Sequence, residues 1–112
     1  MKTFDFKDIL GPHNRYLSTG PAGRKMGRDL GIAEAYAGSD RVKLLFPGDM
    51  IDVTPSFTVG LFDAAVVRLG SVEALIARTE IVIDNPDPER QIIAEEMFKA
   101  LQRGFIRGYA AA

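Results

Sequence analysis

Two hydroxyl side chains, those of Thr54 and Ser56, lie where a strand pattern gives way to a helix pattern. The apolar run Val42–Phe46 is typical of a covered central strand, and Pro47-Gly48 ends it. Thr54 is a favoured N-cap residue, and Pro55 suits the first helical position because its missing N–H is not needed there. Ser56 then lies in the first turn, where unpaired N–H groups and the helix dipole favour a phosphate or another anion. Ser56 is therefore the first candidate phosphoacceptor and Thr54 the second, with helix capping alone as the alternative.

A second pattern, in residues 20–25, combines glycines with basic side chains. Glycines let backbone N–H groups approach an anion, which Arg or Lys then neutralises. The Walker pattern is not met, because Met26 follows Lys25 where Ser or Thr is required. The remaining hypothesis is a basic patch at a helix start that binds an anionic group on a partner or on a small molecule. The alternative is that the basic side chains are solvated and that the glycines are needed for turns and close packing. The patch comprises Arg15, Gly20, Gly23, Arg24, Lys25 and Arg28.

No set of residues in this sequence completes a catalytic site. Cysteine is absent, which excludes thiol catalysis and thiolate metal sites, and the single histidine, His13, is expected in a loop beside Gly11-Pro12. Asp49 and Asp52 flank the strand-to-helix loop and are interpreted as solvated carboxylates, with a hard cation such as magnesium as the alternative. We therefore predict a protein that is not an enzyme and holds neither a metal nor a cofactor.

The composition is that of an ordinary globular domain. The 112 residues include 46% hydrophobic and 26% charged residues, enough for one core, so residues 1–112 are predicted to form a single domain. The net charge of −1 provides no overall attraction to nucleic acid or to an anionic membrane. The sequence shows neither the apolar segment of a signal peptide nor a membrane span, so a cytoplasmic location is expected.

The alternation of strand and helix patterns predicts an α/β fold. Strands that alternate with helices need crossovers, so we expect a largely parallel sheet covered by helices in two layers. The predicted strands are residues 3–9, a hairpin partner at 15–17, Val42–Phe46 and residues 80–84. The predicted helices are residues 21–36, Pro55–Leu69, Val72–Ala77 and a last helix from Pro88. The apolar side of the last helix is expected to include Ile93, Met97, Ala100, Leu101 and Phe105, and its end, with Gly104, Gly108 and the alanine tail, is expected to fray.

Three stretches of the chain, residues 14–30, Val42–Phe46 and residues 53–57, are informative together. They resemble the bacterial STAS-like domains, small relatives of the anti-sigma factor antagonists and of sulfate-transporter C-terminal domains. The resemblance extends from about Phe4 to Asn85. It implies a small sheet of about four strands covered by helices.

The resemblance also implies a role for Ser56. In the antagonists, a serine at the start of the helix after the central strand is phosphorylated by a partner kinase, and Ser56 matches its position. Pro55 and Thr54 stand where a serine and an aspartate are usual, and Phe57 replaces a glycine, which would reshape the partner surface.

The leading hypothesis is a regulatory domain that binds a protein partner through residues 47–56 and the following helix. The resemblance implies a kinase-like ATPase or an anti-sigma-type regulator as partner, with Ser56 as the switch and Asp49, Asp52 and Phe57 on the contacting surface. The alternative is a small-ligand or nucleotide site in which Gly20, Gly23, Arg24 and Lys25 bind an anionic group. A homo-oligomer formed through the terminal helix is the third possibility.

Overall fold

The structure is a computed structural model that describes the backbone of residues 1–107 and the side chains of residues 1–104. Helices and strands alternate along the chain, as predicted. In chain order the elements are β1 (Lys2–Asp5), α1 (Phe6–Leu10), β2 (Tyr16–Leu17), α2 (Gly20–Leu30), α3 (Ile32–Gly38), β3 (Val42–Phe46), β4 (Asp52–Val53), α4 (Pro55–Leu69), α5 (Val72–Ala77), β5 (Thr79–Ile83), a 3₁₀ turn (Pro88–Gln91) and α6 (Ile92–Arg107).

The main sheet contains three parallel strands in the order β1-β3-β5. In its central row, Leu44 of β3 aligns with Phe4 of β1 and Ile81 of β5, and all three side chains are buried. β3 lies in the middle because its alternate residues are fully buried apolar side chains. The predicted α/β class with parallel strands is confirmed.

A second, smaller sheet pairs β2 with β4 in parallel. Tyr16 aligns with Asp52 and Leu17 with Val53, and the Thr54 N–H donates to the Leu17 carbonyl at 2.9 Å. The predicted hairpin between residues 15–17 and the first strand is therefore wrong, and the single sheet of about four strands is replaced by sheets of three and two strands. Strands of two residues contain too little alternation to be recognised from a sequence.

The first predicted strand ends earlier than its pattern indicates. After Asp5 the chain turns into the short helix α1, and the Asp5 carboxylate caps that helix by accepting the Lys7 N–H at 3.0 Å. Phe6 is still buried, and its ring stacks on Phe46 with 4.4 Å between centroids. The period-two pattern thus predicts correctly that Phe4 and Phe6 are both buried. It does not predict the backbone conformation, because Phe6 belongs to a helix and not to the strand.

The predicted helix 21–36 is two helices, because Gly31 breaks it. Gly31 adopts φ +68°, a left-handed conformation that ends α2, and its N–H donates to the Arg28 carbonyl at 3.1 Å. The bounds of α4 and α5 agree with the prediction. The last helix, predicted to start at Pro88, begins with the 3₁₀ turn, and the Asp87 carboxylate caps this turn by accepting the Glu89 N–H at 3.0 Å. The predicted place of Phe105 on the apolar stripe and the predicted fraying at Gly108 and the alanine tail lie outside the described residues.

Helix α3 is fixed to the end of the main sheet by a buried polar link. The Tyr36 and Thr79 hydroxyls are 2.6 Å apart, and burial raises the pKa of Tyr36 to about 12. The Arg78 guanidinium donates to the carbonyls of Tyr36 and Ser39, both at 2.7 Å. This arginine satisfies carbonyl groups at the C-terminal end of α3, where a cation is also favoured by the helix dipole.

Helices α2 and α4 pack with their backbones in direct contact, and glycines make this approach possible. A Cβ added to Gly23 would lie 2.2 Å from the Phe57 carbonyl oxygen, and one added to Gly60 would lie 2.3 Å from the Gly20 carbonyl oxygen. A Cβ added to Gly27 would likewise lie 2.6 Å from the Leu61 carbonyl oxygen. Early residues of α2 face early residues of α4, so the two helices run parallel and begin side by side.

We expect Gly23→Ala to destabilise the protein by about 1 to 3 kcal/mol, because its methyl group would overlap backbone that cannot move aside without separating the helices. The matched control is Gly38→Ala at the end of α3, where no atom lies within 4 Å of the new methyl group. That control should be neutral or stabilising by up to about 1 kcal/mol. Chemical denaturation measures both, and equal stability of the two variants would contradict the packing described.

Candidate functional site

The two helices that begin side by side share one local design. Each follows a strand of the two-stranded sheet, and each is capped by a threonine. Thr19 Oγ1 accepts the Ala22 N–H at 3.3 Å, and Thr54 Oγ1 accepts the Phe57 N–H at 3.3 Å. Thr19 adopts φ +76°, which costs on the order of 1 to 3 kcal/mol for a β-branched residue and is held there by the surrounding contacts.

Two backbone donors remain at this pair of helix starts. The prolines at positions 21 and 55 have no N–H, and the capping threonines occupy the N–H groups of Ala22 and Phe57. Within the described part of the chain, the N–H groups of Gly20 and Ser56 have no hydrogen-bond acceptor. The positive ends of two parallel helix dipoles therefore meet beside two unpaired donors.

A pocket of about 540 Å³ opens at these helix starts. Helix α6 completes its wall, and a Cβ at Gly104 of α6 would meet Val59 of α4 at 2.5 Å, so these two helices also pack closely there. The lining combines two arginines, one carboxylate and small or apolar groups. It comprises Gly20, Pro21, Arg24, Pro55, Ser56, Val59, Gly60, Glu96, Ala100, Arg103 and Gly104.

Arg24 lies close to the start of α4. Its Nη1 atom and the Ser56 carbonyl oxygen are each 3.5 Å from the position that a Cβ on Gly20 would occupy. These two atoms are therefore separated by about 7 Å at most. Among the described residues, neither Arg24 nor Arg103 forms an ion pair, whereas Glu96 contacts Lys99 at 3.3 Å. The pocket thus holds two arginines whose charges are not neutralised by a carboxylate of the described chain.

Thr54 and Ser56 differ in how the structure uses their hydroxyl groups. The Thr54 side chain is partly buried and engaged as the cap, and the Thr54 carbonyl accepts the Thr58 hydroxyl at 2.9 Å. Ser56 is exposed, and its hydroxyl makes no hydrogen bond within the described residues. Of the two candidate phosphoacceptors, Ser56 is the accessible one, and modification of Thr54 would remove a cap.

The structure brings together only part of the predicted basic patch. Gly20 and Arg24 line the pocket with Ser56, while Gly23 serves the close packing of the helices. Arg28 lies along the same helix in a neighbouring groove of about 380 Å³. Lys25 is paired with Asp29 at 2.5 Å, outside the pocket lining. Position along α2 separates these side chains, because successive residues face different directions on a helix.

Arg15 has a separate, structural role. It donates to the Gly11 carbonyl at 2.7 Å and to the Asn14 carbonyl at 2.9 Å, and it forms an ion pair with Asp49. The Arg15 guanidinium also donates a hydrogen bond to the exposed Asp49 carboxylate, and this bond lowers the pKa of Asp49. The arginine therefore fixes the loop before β2 to the loop before β4, outside the lining of the pocket.

The other predicted site residues lie in different environments. Asp52 is exposed on β4, opposite Tyr16. Phe57 is 1% exposed, so its ring packs in the core and does not reshape a partner surface, contrary to the expectation. His13 lies exposed in a loop, as predicted. No group of three or more His, Asp or Glu side chains comes together as metal ligands would in the region the structure describes.

Sequence reasoning missed the contribution of α6. Glu96 and Arg103 line the pocket although they are 40 or more positions from Ser56 along the chain. A basic residue near a helix C-terminus is expected because it compensates the helix dipole, and Arg103 lies at such a position. The sequence therefore contains no pattern that identifies Arg103 as a site residue. Only the packing of α6 against α4 brings it there.

Comparisons with protein-family models, with curated proteins and with solved structures gave no match. The STAS-like resemblance therefore remains a prediction. Every helix among residues 1–107 is too short or too polar to reach across a lipid bilayer.

The separate uses of the two hydroxyl groups lead to a stability test. We expect Thr54→Ala to lower the free energy of unfolding by about 1 kcal/mol, because the cap of α4 is lost. Ser56→Ala should change it by no more than about 0.5 kcal/mol, because the exposed hydroxyl has no partner to lose. Urea denaturation of both variants measures the difference, and a cost at Ser56 equal to that at Thr54 would show that Ser56 is a structural residue.

Proposed function

We propose that this chain is a non-enzymatic regulatory domain that binds a protein partner at the start of α4 and is switched by phosphorylation of Ser56. One observation carries the proposal: an exposed serine with an unengaged hydroxyl lies at a helix start, in the wall of a pocket that also contains two arginines. A serine that only caps its helix would have its hydroxyl bonded to the backbone, as Thr54 does.

The electrostatics of the site support phosphorylation at this position. A phosphoserine carries about −1.5 to −2 charges near pH 7 and three acceptor oxygens. At Ser56 that charge would stand at the positive ends of two helix dipoles, near the unpaired N–H groups of Gly20 and Ser56. The same modification at a helix C-terminus or beside carboxylates would be disfavoured.

The surface formed by β2 and by the loop and strand that lead towards α4 has the composition of a contact surface. Ile51 is 70% exposed and Tyr16 is 53% exposed, and the Ile51 N–H donates to the carbonyl of Arg15, the neighbour of Tyr16. The carboxylates of Asp49 and Asp52 lie on the same loop and strand. Two large apolar side chains bordered by acidic groups fit a partner surface that is apolar at its centre and basic at its rim. The resemblance favours a kinase-like ATPase or an anti-sigma-type regulator as that partner.

We expect Ser56→Asp to weaken retention of the partner by tenfold or more, which corresponds to about 1.4 kcal/mol, because the new carboxylate would repel an acidic group of the partner bound at the two helix starts and the pocket arginines. The measurement is affinity capture from lysate of the source organism, quantified by mass spectrometry, with Ser56→Ala as the neutral variant. The matched control is Ser71→Asp, which adds the same charge at the start of α5 and preserves the cap that Ser71 provides.

Capture of a kinase-like ATPase or regulator by the wild type, Ser56→Ala and Ser71→Asp, with loss in Ser56→Asp, would support the switch. The same set of proteins retained by all four chains would contradict it.

The pocket itself favours a second candidate function, the binding of a small anionic ligand. Its volume suits a ligand of moderate size, and its lining combines the cationic side chains of Arg24 and Arg103 with the apolar side chains of Val59 and Ala100. Of the residues expected to form this site, Gly20 and Arg24 line the pocket, and Gly23 and Lys25 do not.

Thermal denaturation with inorganic phosphate tests this second candidate at constant ionic strength. A ligand present at 100 times its dissociation constant stabilises the folded state by about 2.7 kcal/mol. We expect phosphate to raise the melting temperature of the wild type and of Arg28→Gln, whose side chain lies outside the pocket, but not that of Arg24→Gln. An equal response in all three chains would exclude the pocket as the binding site.

A further inference from the structure

We infer that the phosphoryl group on Ser56 is held within the chain by Arg24 and Arg103, so that phosphorylation closes the pocket; this inference rests on the proposed modification of Ser56. Phosphorylation would then change the shape and charge of this side of the molecule together. Ligand binding in the pocket and phosphorylation of Ser56 become mutually exclusive.

The first step of the argument is distance. The Arg24 Nη1 atom lies within about 7 Å of the Ser56 carbonyl oxygen, and the side chains of Arg24, Arg103 and Ser56 belong to the lining of one pocket. A phosphoryl group would extend the exposed Ser56 side chain by one tetrahedral group at the wall of that pocket. Arginine binds phosphate oxygens through two parallel N–H donors, which suits capture across such a short gap.

The second step is charge. Neither pocket arginine has a carboxylate partner among the described residues, and Glu96, the one carboxylate in the lining, contacts Lys99. A phosphoserine dianion would therefore meet two arginines that lose no existing ion pair when they bind it. Arg103 belongs to α6 and Arg24 to α2, so one phosphoryl group would connect three helices.

The chemistry of the modification is ordinary phosphoryl transfer from a nucleoside triphosphate bound to the partner kinase. The Ser56 Oγ–P bond forms as the bond between the γ-phosphorus and the bridging oxygen breaks. The hydroxyl proton passes to a base of the kinase, and the nucleoside diphosphate leaves. The exposed Ser56 hydroxyl is accessible for this step before the arginines close on the product.

The test uses the full chain with phosphoserine installed at position 56 during translation. Phosphorus NMR follows the second ionisation of the phosphate, which has a pKa of about 6 when unperturbed. Opposite charges nearby favour the dianion, so we expect a lower pKa in this chain, with partial return towards 6 in Arg24→Gln and in Arg103→Gln and a larger return in the double variant, where only the helix dipoles and backbone N–H groups still favour the dianion. Arg28→Gln is the matched control and should leave the lowered value unchanged.

A pKa near 6 in the otherwise unaltered phosphorylated chain, or a lowered pKa that neither substitution changes, would overturn the inference. Arg103 is exposed, so we expect Arg103→Gln to keep the fold. This variant therefore tests the inference even if Arg24→Gln impairs folding. In a parallel arm, inorganic phosphate should stabilise the unmodified chain and not the phosphorylated one. Arg24-dependent stabilisation of the phosphorylated chain by inorganic phosphate would contradict closure of the pocket.

These outcomes separate the inference from the proposed function. Release of the partner by Ser56→Asp together with an unperturbed phosphate pKa would leave the switch intact and refute capture by the arginines. A lowered, arginine-dependent pKa together with unchanged partner retention would leave the capture intact and refute the partner switch.

Discussion

The close approach of α2 and α4 is the constraint on which the rest of the site depends. Gly23 and Gly60 bring the two backbones to distances at which a Cβ could not fit. The paired strands β2 and β4 set the register, because each feeds directly into one of these helices. Two helix starts and their unpaired N–H groups are consequently held side by side. With larger residues at these positions, the helix starts would separate and the pocket would lose its wall.

Helix α4 is buried along most of its length and exposed at its first residues. It packs against α2, α3, α5 and α6, and its Phe57, Leu61 and Phe62 side chains are almost fully buried. Pro55 and Ser56, in its first turn, are exposed and line the pocket. The exposed first turn of α4 is therefore supported by the buried face of the same helix.

Local charge at the site differs from the charge of the whole chain. The net charge of −1 gives no hint of an anion site. Yet the pocket gathers Arg24, Arg103 and two helix dipoles, while Asp49 and Asp52 lie on the outer loop and strand. The anion-attracting charge of the pocket is thus a local property that the net charge of the whole chain does not reveal.

The sequence by itself determined the α/β class, the buried strand Val42–Phe46 and the capped start of α4 with Ser56 in its first turn, because capping and hydrophobic periodicity act between residues close in the chain. Tertiary structure alone decided the pairing of β2 with β4 and the close packing of α2 against α4. It also decided which basic residues meet: Arg24 and Arg103 share a pocket, whereas Arg15 binds Asp49 and Lys25 binds Asp29. These contacts depend on the packing of segments that are distant in the chain. The spacing of residues within one segment contains no information about them.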